Sequence, residues 1–180
     1  METDTDTATD TATATSRARF REVLGHFASG VTVVTAACGD VVHGMTATAF
    51  ASLSLDPLMV LICVNQEARL HRLVLESRSF AVTMLSERQH ELSSWFALRR
   101  RPLGADEFAG CAWRPAAVSR APVLEGGLGY LDCALTDIHA AGDHSILVGR
   151  VEDLGLFEEP AAPLLWYRGG YRRLETVEER

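Results

Sequence analysis

The sequence predicts a mainly β domain with a few helices, its antiparallel strands rolled toward a barrel. Three observations carry this. Apolar runs of strand length recur along the chain, among them "VTVVTA", "LMVLICV", "FAVTML" and "SILVGRV". Tight-turn signals separate several of them, where a parallel sheet would need long crossovers. Only three stretches carry a helical period, which disfavours a doubly wound fold.

In chain order, "SRARFREVLGHFASG" places Phe20, Val23, Leu24 and Phe27 on one helical face, with Ser16 as its cap and Gly30 as its stop. "VTVVTAACGDVVHGMTATAF" reads as two strands about a turn at Cys38-Gly39-Asp40. "LMVLICV" is a buried strand, and Asn65 is placed to cap the following helix "QEARLHRLVLES". "FAVTML" is a further strand, after which Ser86 and Gln89 stand at capping-box spacing before "ERQHELSSWFAL". "RRRPLGADEFAGCAWRP" is charged and irregular and reads as a loop. "LGYLDCALTDIH" and "SILVGRVEDLGLF" are long strands joined by "AAGD", and "PLLWYRGGYRRL" is a last hairpin turning at Gly169-Gly170.

At 180 residues and 47% hydrophobic, the chain can bury a single core. The net charge of −7 is misleading: Glu2, Asp4, Asp6 and Asp10 crowd the first residues, and without them 20 acids face 17 bases. No basic stripe marks a nucleic-acid partner, and no apolar run is long enough to cross a membrane. The opening "METDTDTATDTATATS" lacks large side chains and the charged and apolar regions of a secretory signal. We therefore expect residues 1–16 to be an unstructured tail, 17–180 to be the domain, and the protein to be cytoplasmic. The four cysteines form no C-x-x-C pair and are expected to be reduced, with no metal site.

Several chemical motifs fail on context. "GGLG" at Gly126–Gly129 leads into a strand, whereas a dinucleotide fingerprint must open a helix. Ser145 beside His144 is no triad, because adjacent strand residues point to opposite faces. His139 and His144 repeat no ligand spacing.

Three polar stretches remain. "GMTATAFASLSL", Gly44–Leu55, carries small residues and hydroxyls that would let backbone approach a flat ligand, and equally suits ordinary sheet. "CVNQEAR" ends a strand and opens a helix, where free N–H groups and Arg69 suit a phosphate; a plain Asn cap with a solvated Arg fits as well. Gly142-Asp143-His144 is either a closed turn or a donor at a site's mouth.

Together these segments resemble the flavin reductase-like family, the short-chain NAD(P)H:flavin oxidoreductases of two-component monooxygenases. The resemblance runs from about Phe20 to Leu174 and rests on "GVTVVTA", "GMTATAFASLSLDP", "FAVTML", "FAGCAW", "GDHSILVGRV" and "PLLWYRGGY" in that order. It implies a split β-barrel of the FMN-binding type that forms a homodimer and holds FMN or FAD near the dimer interface. By the same resemblance Thr46, Ala47, Thr48 and Ala49, in the segment opened by Gly44, would line the isoalloxazine ring, supported by Ser52 and Ser54. Cys63, Val64, Asn65, Arg69 and Leu70 would run beside the ribityl chain and phosphate, and Phe96 would close part of the pocket. His144, Tyr167, Arg168, Gly169 and Tyr171 would face NADH or NADPH. The chain departs from the family pattern at Asp56-Pro57-Leu58, at Thr83, and at Glu107, where the family often carries a base; the run Arg99 to Arg101, with Arg101 as the candidate contact, either replaces that cation or is a solvated loop.

The implied reaction moves hydride from C4 of the nicotinamide to N5 of the flavin. The protein needs no nucleophile for it, only alignment of two planar rings. The reduced flavin would pass to a separate monooxygenase. The alternative is a flavin-binding module of the same architecture that stores or senses flavin without turning over NAD(P)H.

Overall fold

The computed structural model describes residues 4–102, 104–158 and 161–174. The elements are α1 (Asp4–Leu24), β1 (Ser29–Gly30), β2 (Thr32–Cys38), β3 (Val41–Ala47), β4 (Phe50–Leu55), β5 (Leu58–Asn65), α2 (Arg69–Ser77), β6 (Ser79–Met84), α3 (His90–Ala97), β7 (Trp113–Pro115), β8 (Pro122–Leu124), β9 (Gly129–Ala141), β10 (His144–Leu156), β11 (Leu165–Tyr167) and β12 (Gly170–Arg172). The protein is mainly β with few helices, as its composition of short apolar runs predicts.

Seven strands form one sheet in the order β3-β2-β6-β9-β10-β5-β4, every pair antiparallel. Its edges, β3 and β4, are not paired with each other, so the sheet is not a closed barrel. Yet they are consecutive in sequence, joined only by Thr48 and Ala49. A chain advances at most about 3.6 Å per residue, so the sheet must curl until the end of β3 lies near the start of β4. The curl creates an inside. There α2 lays Leu70, Leu73 and Val74 against Val34, Ile62, Val64, Phe80, Val82 and Leu147. The opposite face of β2 belongs to a second cluster, in which Val33 joins Leu85, Phe96, Phe108, Leu124 and Leu164. Alternation alone would leave one face of β2 in water; here Thr32 to Ala37 are buried without a break, Thr32 and Thr35 included, because both faces are covered.

Turn chemistry fixes the register where the sequence marks it. Cys38 pairs with Val41 across Gly39-Asp40, with Gly39 at φ 57°. Ala141 pairs with His144 across Gly142-Asp143, with Gly142 at φ 62°. The last hairpin turns at Arg168-Gly169, one residue earlier than expected, because both of those residues take positive φ (49° and 74°), as a tight primed turn requires. The Ser86–Gln89 capping box is present and opens a single 3-10 turn, Glu87–Gln89, ahead of α3.

Three expectations shift. The first helix starts at Asp4, so its backbone runs through the segment read as an unstructured tail; residues 1–3 lie outside the described residues. Once Arg17–Leu24 is helical, each further residue costs only propagation. Asn65 does not cap α2: its side chain accepts the Glu67 N–H at 3.0 Å, and the helix begins only at Arg69 behind Ala68. The charged loop from Arg99 onward holds a 3-10 turn, Gly104–Phe108, and β7.

Candidate active site

A cavity of about 480 Å³ opens where β3, the β5–α2 junction and the end of α3 converge. Its walls are His43, Met45 and Thr46 from β3, Asn65, Glu67, Ala68 and Arg69 at the junction, Phe96 and Ala97 at the end of α3, and Leu98, Arg99, Arg101 and Pro102 beyond it. The junction is tightly made. Asn65 accepts the Ala68 N–H through its carbonyl at 3.0 Å, and Ala68 has no side chain with which to cap α2. The first N–H groups of α2 therefore stay open at the cavity wall, beside Arg69. Arg69 and Arg99 make no ion pair among the described residues, and with Glu67 as the one carboxylate beside them the mouth keeps a net positive charge.

The opposite wall is built on Glu107, which is fully buried. Its Oε2 lies 2.7 Å from His43 Nδ1, and its Oε1 accepts the Gly44 N–H at 3.4 Å and Arg101 Nε–H at 3.0 Å. Arg101 also donates through one terminal nitrogen to the carbonyls of Phe96, at 2.8 Å, and Leu98. The other terminal nitrogen donates to the Gly44 carbonyl and to Glu107. All five guanidinium N–H groups are thus committed, leaving none to offer a ligand. The guanidinium lies over the Phe96 ring, 5.4 Å from its centre. Burial pushes the Glu107 carboxyl up, but the hydrogen bonds and charges of His43 and Arg101 outweigh it and hold it below the usual carboxylate range.

The structure gathers Thr46, Asn65, Arg69, Phe96 and Arg101 around this cavity. Thr46 is oriented by a 2.6 Å bond from its hydroxyl to the Ser93 carbonyl. Thr48 and Ala49 are exposed between the two edge strands, and the Ala49 carbonyl takes the Cys63 N–H at 3.0 Å, tying that link to β5. Ser52 is exposed and Ser54 half-buried on β4, on either side of a register shift. Val64 and Leu70 lie in the core with no exposure, and Ala47 is buried. Gly44 is buried against Phe96, where a Cβ would stand 2.8 Å from the ring.

His144 pairs with Asn65 across β10 and β5, which sets it beside the junction. Its Nδ1 is 2.8 Å from Asp143 Oδ1, and its side chain is 46% exposed. That hydrogen bond holds the Asp143 carboxyl below its ordinary value. Gln66, not anticipated from the sequence, clamps the turn by taking its N–H to the Asp143 carbonyl at 3.0 Å and its side-chain amide to the His144 carbonyl at 2.9 Å. Tyr167, Arg168, Gly169 and Tyr171 occupy the terminal hairpin, away from that turn. There the Tyr171 hydroxyl donates to Ser93 Oγ at 3.0 Å, and Arg168 donates its N–H to the Gly25 carbonyl at 2.8 Å. Neither lines the cavity: the hairpin is linked to it at one remove, through Ser93, whose carbonyl holds Thr46, and His144 through its strand pairing with Asn65.

The flavin reductase-like domain model matches residues 24–175. The chain belongs to the flavin reductase-like family. Among flavin reductases it is 40% identical over 160 residues to an NADH-dependent flavin reductase of a Rhodococcus species, covering 87% of this chain and 86% of that one. It is also 40% identical over 159 residues to the reductase subunit HsaB of a flavin-dependent monooxygenase from Mycobacterium tuberculosis, covering 87% and 81%. The crystallised NADH:FAD oxidoreductase of Streptomyces globisporus, solved with NAD and FAD fragments, superposes with a TM-score of 0.84 at 33% identity, covering 91% of this chain and 95% of that one. The family resemblance read from the sequence is confirmed, and with it a fold of mainly antiparallel strands.

Sequence reasoning missed His43, Gln66, Ser93 and the Glu107–Arg101 pair. His43 immediately precedes the small-residue segment at Gly44, so a one-residue extension would have included it. The partnership of His43 with Glu107 spans 64 positions and leaves no local signal.

Proposed function

We infer that this protein is an NAD(P)H:flavin oxidoreductase that reduces FMN or FAD with NADH and passes the reduced flavin to a separate monooxygenase. The observation that carries the reading is the cavity: a recess of about 480 Å³ with two unpaired arginines, Arg69 and Arg99, at the mouth and a neutralised, hydrogen-bonded inner wall. Its size falls in the usual range for cofactor sites. Bound there, the flavin would supply the hydride-accepting chemistry. The residues present fit such a group. Arg69 and the open N–H groups of α2 would hold its phosphate, Asn65 and Cys63 would flank the chain, and the Gly44–Ala49 segment with Phe96 would border the ring. Arg101 acts through its carbonyl contacts and not as a phosphate ligand, since its donors are spent.

On the reductant side, His144 at the junction would bind the carboxamide or a phosphate of the nicotinamide nucleotide, oriented by Asp143. Tyr167 to Tyr171 would complete that side through the α3 wall. Names of relatives as NADH-dependent reductases support NADH as the donor. The two-residue link between unpaired edges supports a split barrel. The helix face of Phe20, Val23 and Leu24, all more than half exposed, and Phe27 just beyond it, 79% exposed, leave an apolar surface that a second copy would cover as a homodimer. No helix among the described residues is long and apolar enough to cross a membrane; the reading places the enzyme in the cytoplasm, with its NADH.

The test is NADH oxidation by the purified protein with and without added FMN. Turnover that requires FMN and saturates with it establishes a reductase treating flavin as substrate, and fast turnover without it a bound flavin. Failure with NADH, NADPH, FMN and FAD alike would leave the non-catalytic flavin-binding module.

A further inference from the structure

His43 is the one ring on the inner wall whose two nitrogens have different fates. Nδ1 is committed to Glu107 at 2.7 Å. Nε2 has no protein partner, yet every buried side-chain nitrogen and oxygen among the described residues has one. Nε2 therefore reaches solvent, although the side chain is only 12% exposed, and His43 lines the cavity. An ionised Glu107, already receiving Arg101, can only accept, so a neutral His43 must place its proton on Nδ1 and present Nε2 as a lone-pair acceptor. The charges around it are arranged by depth. Arg101 is cancelled by Glu107 on the inner wall, whereas toward the mouth Arg69 and the exposed Arg99 outnumber the exposed Glu67. The inner wall thus suits a neutral donor and the mouth an anion.

Resting on the reading of this cavity as the flavin site, we propose that His43 determines specificity for the polyol chain of the flavin. It accepts a hydrogen bond from a chain hydroxyl at Nε2, and Glu107 serves as the positioning residue that fixes the tautomer. Three flavins separate the contributions: lumiflavin has the ring alone, riboflavin adds the hydroxylated chain, and FMN adds the phosphate.

Steady-state KM values with NADH are measured for all three on wild type, His43→Leu, His43→Gln, Glu107→Gln and Ala97→Trp. His43→Leu should raise the riboflavin:lumiflavin KM ratio about tenfold, the worth of one buried hydrogen bond, and leave the FMN:riboflavin ratio alone. His43→Gln, which keeps a polar end and protects against a misfolded leucine variant, should raise it by a smaller factor. Glu107→Gln lets an amide donate to Nδ1, turns Nε2 into a donor, and should shift the same ratio about threefold. A ratio unmoved in both His43 variants, or KM rising equally for riboflavin and lumiflavin, overturns the proposal and leaves His43 a structural residue. Ala97→Trp fills the cavity: if it leaves KM for all three flavins unchanged, the flavin lies elsewhere and the underlying site reading fails first.

Discussion

Replacing Glu107 by Gln keeps the volume of a fully buried side chain and removes its charge. In the native site the carboxylate takes three charged or chargeable contacts: His43 Nδ1 at 2.7 Å, Arg101 Nε at 3.0 Å and an Arg101 terminal nitrogen. A glutamine turned with its oxygen to Arg101 and its amide to His43 preserves each of these pairings. Each contact falls from a charge-assisted to a neutral bond, a loss of about 1 kcal/mol apiece, or about 3 kcal/mol in all. That sits at the low end for breaking a buried pair, as expected when the hydrogen bonds survive. For a domain of this length it corresponds to a Tm lower by roughly 6–12 °C. The assay is thermal unfolding by circular dichroism without flavin, so that ligand binding does not mask the change. The pH dependence has a definite sign. Because the native Glu107 carboxyl lies below its ordinary value, its stabilisation is complete above the unfolded pKa of about 4.3 and is lost as pH falls through the native value. The gap between wild type and Glu107→Gln should therefore be widest near neutrality and close in acid. A Tm within about 2 °C of wild type at pH 7 would refute the reasoning, because it would mean that the Arg101 charge costs nothing when unpaired.

His144→Ala should raise KM for NADH about tenfold, the loss of one hydrogen bond, with a smaller effect on flavin; equal effects on both would remove His144 from the reductant side. Arg69→Ala should raise KM for FMN more than for riboflavin, and the difference should shrink in high salt because the arginine is near solvent; initial rates at two ionic strengths check this. Gly44→Ala puts a methyl 2.8 Å from Phe96, and overpacking of about 1–3 kcal/mol should lower Tm and weaken flavin binding together, read by unfolding and flavin fluorescence. Among the cysteines, exposed Cys38 should react first with a thiol reagent, whereas burial holds Cys133 inert and pushes its thiol up to about 12; Cys38→Ser should abolish the fast phase.

What the sequence made legible was local. Gly39-Asp40 and Gly142-Asp143 set their hairpins because a positive φ is written in the glycine itself. The terminal turn slipped by one residue because Arg168, which carries no such mark, takes the left-handed conformation. The three helices, the apolar strands and the polar segments at Thr46 and Asn65–Arg69 were visible as period and composition. Asn65 was seen as polar punctuation, but a side chain that closes a turn two residues on and one that caps a helix look alike in sequence. The inner wall was not legible. Arg101 looked like a cation for a ligand, and Glu107 like a missing one, because only the fold reveals that they neutralise each other. Tyr171 was assigned to a ligand, and here it reaches Ser93 across 78 positions.

The register shift between Ser52 and Ser54 has a bearing on whether copies of the chain can join edge to edge. β4 is an edge strand whose outer backbone groups face no partner in the sheet, and it carries Leu53 and Leu55, 49% and 83% exposed. A flat edge of that kind is a template for adding strands without end. The extra residue bends the strand and breaks the ladder at its middle, so an incoming strand cannot run in step along its whole length. Deleting Leu53 to regularise β4 would restore that flat edge and turn the domain toward fibrous association.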